Sequence, residues 1–172
     1  MKNYFLIIFI ILASLCAYVS GNVFKSMRDQ FFVEIDLSSS SNRYTYNDIH
    51  KLFSLYPNLS VTTIPLNAFK AFYYFKYQDY DKALQILDES INHNPHIFYV
   101  ENVKARIFAA RGQMDSAIFY SKKAFYGWPK NIDHFKFYTD LLSKKGDTTE
   151  ILNAFGAIDS IFYDRKEYGD HF

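Results

Sequence analysis

Residues 71–95 read AFYYFKYQDYDKALQILDESINHNP, residues 105–129 read ARIFAARGQMDSAIFYSKKAFYGWP, and residues 139–163 read TDLLSKKGDTTEILNAFGAIDSIFY. Each segment starts 34 residues after the one before it, and the three share a register. The step pairs Ala71 with Ala105 and Thr139, Tyr74 with Phe108 and Leu142, and Ala83 with Ala117 and Ile151. It also pairs Tyr80 with Met114 and Thr148, Ser90 with Ala124 and Ile158, Gly112 with Gly146, and Pro95 with Pro129. A small residue alternating with a large one at fixed places suits helices crossing at about 8–10 Å. The small residue admits the neighbouring backbone, and the large one fills the gap beside it. A period of this length marks a repeat architecture, in which no unit buries its apolar face alone.

The pattern predicts paired helices at about 64–77 and 80–93, 97–111 and 114–126, and 132–145 and 148–161, with proline closing two of the units. Asp79, Asp115 and Asp147 fall at or near helix starts, where a carboxylate suits unpaired amides and the helix dipole.

These residues resemble the tetratricopeptide repeat. Ala71 and Ala105 match its small first-helix residue, Tyr74 and Phe108 its aromatic, and Gly112 and Gly146 its turn. Tyr80 with Ala83 and Met114 with Ala117 match the opening of the second helix, and Pro95 and Pro129 the terminal proline. The family's early Trp falls on Asn67, Glu101 and Phe135, and the third unit lacks the proline. The resemblance implies an all-α helical-hairpin solenoid of about three repeats. One further step back puts Tyr46, Ile49, Phe53 and Tyr56 on second-helix positions, so residues 44–56 are expected to form a capping half repeat ended by Pro57.

Upstream, residues 4–19 read YFLIIFIILASLCAYV without a charge. At 1.5 Å per residue this run sits at the lower limit for crossing a hydrocarbon core of about 30 Å. Two readings stay open. Lys2 and the small residues near Ser20-Gly21 fit a signal peptide, which would leave the protein secreted after cleavage. The length of the run, bulky Tyr18 and Val19, and flanking Lys25 and Arg28 favour an uncleaved anchor. The expected organisation is an anchor or signal over 1–21, a connector over 22–43 ending in SSSSN, a repeat domain over 44–163, and a polar tail over 164–172. The connector is either a loose stalk or a surface helix with Phe24, Met27, Phe31 and Phe32 on one side. Cys16 reads as an ordinary packing residue of the apolar run.

Composition narrows the function. The chain has 172 residues, 49% hydrophobic, with 19 Lys plus Arg against 18 Asp plus Glu. A formal charge of +1 provides no field to gather a polyanion, so no nucleic acid is expected. A single cysteine excludes a disulfide framework and a thiolate zinc site. Phosphate loops, HExxH, CxxC and GxSxG are missing from the sequence, so no enzyme, no cofactor and no metal is expected. His93 and His96 straddle Pro95 without a third ligand and read as surface or capping residues.

What remains is binding. In the family, first helices line a concave groove, and the resemblance implies that partners dock there. The inward-facing residues are then Ala68, Phe72, Phe75 and Lys76 from the first unit, Tyr99, Asn102 and Arg106 from the second, and Lys136 and Asp140 from the third. An aromatic floor passing into a cationic and amide patch suits an extended protein segment with an acidic or carboxylate end. The competing use of the same residues is packing against the chain's own connector or tail. The sequence therefore points to a membrane-tethered scaffold held through residues 4–20 at a bacterial envelope, its repeats outside the cytoplasm. The alternative is an accessory or detached domain of an envelope glycan-assembly system, since a span followed by helical repeats, with SLYPN and KKGDT, is similar to O-antigen ligase tails.

Overall fold

The computed structural model describes residues 2–39, 43–53 and 56–163. They are all-α, apart from one isolated bridge between Leu59 and Pro65. The helices are α1 (Lys2–Ser38), α2 (Leu66–Lys76), α3 (Tyr80–Ser90), α4 (Tyr99–Ala110), α5 (Met114–Gly127), α6 (Ile132–Lys145) and α7 (Thr148–Tyr163). The chain packs as two units that divide within α3, after Ala83.

The 34-residue step reappears in the backbone of the turns. Gln78, Gly112 and Gly146 all take the left-handed conformation, with φ of 62°, 73° and 77°. Behind each, the next amide reaches back to close the helix: Asp79 to Tyr74 O at 2.9 Å, Gln113 to Phe108 O at 2.9 Å, and Asp147 to Leu142 O at 3.0 Å. Each turn thus satisfies the last carbonyls of one helix and aims the chain back along it. Glycine takes this conformation at no steric cost, whereas Gln78 holds a Cβ there. At the start of the following helix, Asp79 and Asp147 accept the amides of Lys82 (3.1 Å) and Glu150 (3.0 Å). Gln113 holds the equivalent place without a side-chain cap, and Asp115 instead pairs with Lys145 of α6 at 2.7 Å. Helical hairpins recurring at 34 residues are the arrangement of a TPR-like fold.

In the second unit the small residues are where close crossings need them: Ala105, Ala117, Ser121, Ala124 and Ala154 are all fully buried. The large ones fill the spaces between, with Phe108 stacked on Tyr120 at 5.3 Å and Phe125 on Tyr138 at 5.7 Å. Phe125, Phe135, Tyr138, Leu142 and Ala154 form one core across α5, α6 and α7. Gly127 ends α5 against the ring of Phe98, which any added Cβ would strike. Glu150 ties the hairpins together, its Oε1 taking Lys122 Nζ and the Tyr138 hydroxyl, each at 2.7 Å.

In the first unit the connector takes the helical form of its two readings. α1 does not stop at the apolar run but continues unbroken through the segment read as a connector, as far as Ser38. Its apolar part, with a mean hydropathy of 2.3 and none of that stretch buried, makes it long and apolar enough to cross a membrane. Cys16 lies exposed on it. Farther along, Ser26, Asp29, Gln30, Val33 and Asp36 are buried, at the spacing of one helical face. That face is mostly polar, and its partners are loop amides. Asp36 Oδ2 accepts the Arg43 amide at 2.8 Å and the Tyr73 hydroxyl at 3.0 Å. Asp29 Oδ2 accepts the Phe53 amide, and Gln30 Oε1 the Val61 amide, each at 3.2 Å. The capping segment is a 3-10 helix, Tyr46–Lys51, rather than an α-helix over 44–56. It still packs as a cap does, with Ile49 fully buried and the Tyr46 ring against Tyr74 at 5.4 Å and Tyr77 at 5.8 Å. Residues 164–172, expected as a polar tail, lie outside the described residues.

Two stability predictions follow from the turns and from Glu150. Gly112→Ala should destabilise the protein by about 1–2 kcal/mol, the cost of a Cβ in left-handed backbone. Gln78→Gly should be neutral or stabilising by up to about 1 kcal/mol, because relief of strain is partly offset by a looser unfolded chain. Thermal melts of the two variants check the pair, and equal losses for both would refute the shared turn geometry. The Lys122 ammonium, followed by the Tyr138 hydroxyl, holds Glu150 at a pKa of about 2 against an ordinary 4.5. A depressed carboxylate contributes stability that is present above pH 4.5 and is lost as pH falls toward 2. Glu150→Gln should therefore cost about 1–2 kcal/mol at neutral pH. The gap between its melting curve and that of the wild type should close as pH is lowered through that window.

Candidate functional site

Helix α4 is buried nearly all round, with Val100 through Ala105 and Ile107 out of solvent. Such a helix needs partners for whatever polar groups it carries. Glu101, 2% exposed, meets Lys123 Nζ of α5 at 3.0 Å, and buried Lys104 pairs with Asp88 of α3. Asn102, 6% exposed, is matched only in part: its Oδ1 accepts Arg106 Nε at 2.9 Å. Its Nδ2 has no hydrogen-bond partner among the described residues. A buried unpaired donor of this kind costs about 1–3 kcal/mol.

The neighbours of that donor define a face shared by α4 and α6. Arg106, one turn beyond Asn102, lays its guanidinium 4.6 Å from the centre of the Phe137 ring of α6. Tyr99, one turn before Asn102, is half-buried, and burial pushes its hydroxyl up to about 12 while the Arg106 charge acts the other way. It is therefore a neutral donor at any ordinary pH. Lys136 stands exposed beside Phe137. Asp140 is also exposed but pairs along its own helix with Lys144 at 2.8 Å. At the foot of α6, His134 is buried with Nδ1 3.0 Å from Ala124 O, and burial lowers its pKa, so it serves as a neutral strut between α5 and α6.

Of the residues picked from the sequence, Tyr99, Asn102 and Arg106 gather along one line of α4, with Lys136 and Asp140 on α6. Phe72, Phe75 and Lys76 of α2 have work within their own unit. Phe72 and Phe75 meet edge to face at 6.0 Å, and Phe75 packs on Tyr80 at 6.0 Å. Lys76 lies 5.9 Å over Phe72 and donates to Asp36 O at the end of α1 at 3.2 Å. That is the packing on the chain's own upstream segment anticipated as the competing use. Phe137 escaped the sequence reading, although the 34-residue step links it to Phe69 and Val103. Both of those are buried, at 3% and 2% exposed. Among the described residues no group of three His, Cys, Asp or Glu could hold a metal ion, and His93 and His96 are exposed.

No protein-family profile matches the chain, and no curated protein matches it. Among solved structures, a mutant of MamA aligns with a TM-score of 0.45 and 21% identity over 57% of this chain and 54% of that one. MamA AMB-1 aligns with a TM-score of 0.44 and 22% identity over 55% of this chain and 56% of that one. The chain spans about half the length of the MamA structures it matches.

Proposed function

We propose that the protein is a membrane-tethered scaffold whose α4–α6 face binds an extended segment of a protein partner. The observation that carries this reading is the buried Asn102 Nδ2, a donor without an acceptor. An extended peptide brings backbone carbonyls, the acceptor such a donor lacks, and binding then removes a penalty already present in the free protein. Arg106 and Lys136 favour a carboxylate on the ligand, and Phe137 offers an aromatic surface for an apolar side chain. The chemistry asked of these groups is recognition, with no bond made or broken. In this reading helix α1 is the tether, and its likeness to an export signal supports an extracytoplasmic side for the repeats.

Asn102→Leu separates stability from binding. Replacing an unsatisfied buried amide by an apolar group of similar shape should leave the melting temperature unchanged, or raise it by the equivalent of up to about 1 kcal/mol. Partner capture should be lost. The measurement is photocrosslinking from position 136 of the full chain in native membranes, comparing wild type with the Asn102→Leu, Arg106→Glu variant. A discrete protein adduct that disappears in a variant of undiminished stability supports the reading. An adduct of equal yield from both sinks it.

A further inference from the structure

A second polar site lies in the first unit, where α1 leaves its apolar stretch. From Tyr4, about 20 residues at 1.5 Å each cross a core of about 30 Å. The only amide side chain in that stretch, Asn22, donates its Nδ2 to Tyr18 O at 2.9 Å, which pairs one of its two protons within the helix. The next residues face a cleft of 430 Å³ lined by Lys25, Arg28 and Asp29 of α1 with Tyr44, Asp48 and Lys51 of the capping segment.

The acceptors in this cleft are already engaged. Asp29 Oδ1 takes Arg28 Nη2 at 3.1 Å, and its Oδ2 takes the Phe53 amide at 3.2 Å. Asp48 Oδ2 takes the Thr45 hydroxyl at 2.6 Å and its Oδ1 Lys51 Nζ at 3.4 Å. The donors are in surplus. Lys25 Nζ has one long bond, 3.4 Å to Lys51 O, and no carboxylate among the described residues. Arg28 directs Nε and Nη2 at Asp29, leaving Nη1 over. Lys51 uses one of its protons, and the Tyr44 hydroxyl donates to none of the described residues. Lys70 on α2 is half-buried without an ion pair among the described residues, and its pKa is lowered by burial and then by repulsion from Lys25. An excess of donors in one cleft calls for an oxyanion. Beside Lys25 and Arg28, α1 turns Phe24, Met27 and Phe31 outward, 70%, 52% and 61% exposed. Aromatic and apolar side chains next to basic ones are the usual signature of a helix at a bilayer interface.

We propose that this cleft holds a phosphate-class oxyanion, supplied by the headgroup of an anionic phospholipid in the membrane that α1 crosses. The proposal rests on the membrane reading of α1, and the test keeps the two apart. The full chain is mixed with phosphatidylcholine vesicles with or without phosphatidylglycerol, and vesicle flotation is scored first. Protein recovered from the vesicles in neutral detergent is then assayed for bound phosphatidylglycerol by native mass spectrometry. Wild type should retain it, and Lys25→Gln, Lys51→Gln should hold it about tenfold less tightly. Lys130→Gln, Lys144→Gln, which removes two exposed charges elsewhere, should behave as wild type. Equal retention by all three proteins overturns the cleft assignment while leaving α1 in the membrane. Failure to float overturns the membrane reading. A melting shift of the wild type by inorganic phosphate alone, absent in the cleft variant, overturns the lipid source by assigning the site to free phosphate.

Discussion

The first unit depends on two carboxylates buried on α1. Asp29 and Asp36 are 4% and 0% exposed, and each accepts a backbone amide of a following loop, Phe53 for Asp29 and Arg43 for Asp36. A loop that runs past a helix must find acceptors for its amides, and a charged acceptor bonds about twice as strongly as a neutral one. With Gln30 holding the Val61 amide, one face of one helix fixes the Arg43, Phe53 and Val61 strands of loop at once. The outward side of the same helix turns Phe24, Met27 and Phe31 to the surface beside Lys25 and Arg28. In water alone that arrangement would be unfavourable. At a bilayer surface the same arrangement puts each face in a matching medium.

The second unit solves the same problem differently. Its turns reverse through left-handed glycines at Gly112 and Gly146 with backbone bonds behind them, and Asp147 adds a side-chain cap on the Glu150 amide. Buried charges on α4 are balanced one for one, Glu101 by Lys123 and Lys104 by Asp88. Against that background the Asn102 Nδ2 stands out as a buried donor without a partner among the described residues. Polar groups left unpaired inside a well-packed helix layer are where a ligand's hydrogen bonds count for most, since water cannot compete for them. Such a site would favour a partner that presents carbonyl and carboxylate oxygens over one that presents only apolar area.

The turns were legible in the sequence because their requirement is local. Gly112 and Gly146 are separated by the same step as Ala71 and Ala105, and any chain reversal at that spacing wants a residue free to adopt positive φ. The crossings at Ala83, Ala105, Ala117 and Ala124 were legible for a similar reason, since the demand for a small side chain is visible in one letter. Phe137 was passed over because it sits at a position buried in the two earlier units. The polar packing of the connector was not legible, because its acids and glutamine look like solvated surface when read alone. Nothing within residues 22–38 indicates that Asp36 will meet Tyr73 or that Asp29 will meet Phe53.

By itself, then, the sequence determined the helical repeat, its 34-residue register, the reversal points and an N-terminal helix apolar enough to cross a membrane. These are set by periodicity and by the backbone freedom of single residues, which act over a few neighbours. Tertiary structure decided which polar groups are paired. It placed Lys76 on the end of α1, Lys145 on Asp115, and Asn102 where its oxygen takes Arg106 while its Nδ2 meets no acceptor among the described residues. The physical reason is that a hydrogen bond depends on two groups meeting within about 3 Å. For groups separated by 24 to 40 residues, that meeting exists only after the chain has folded.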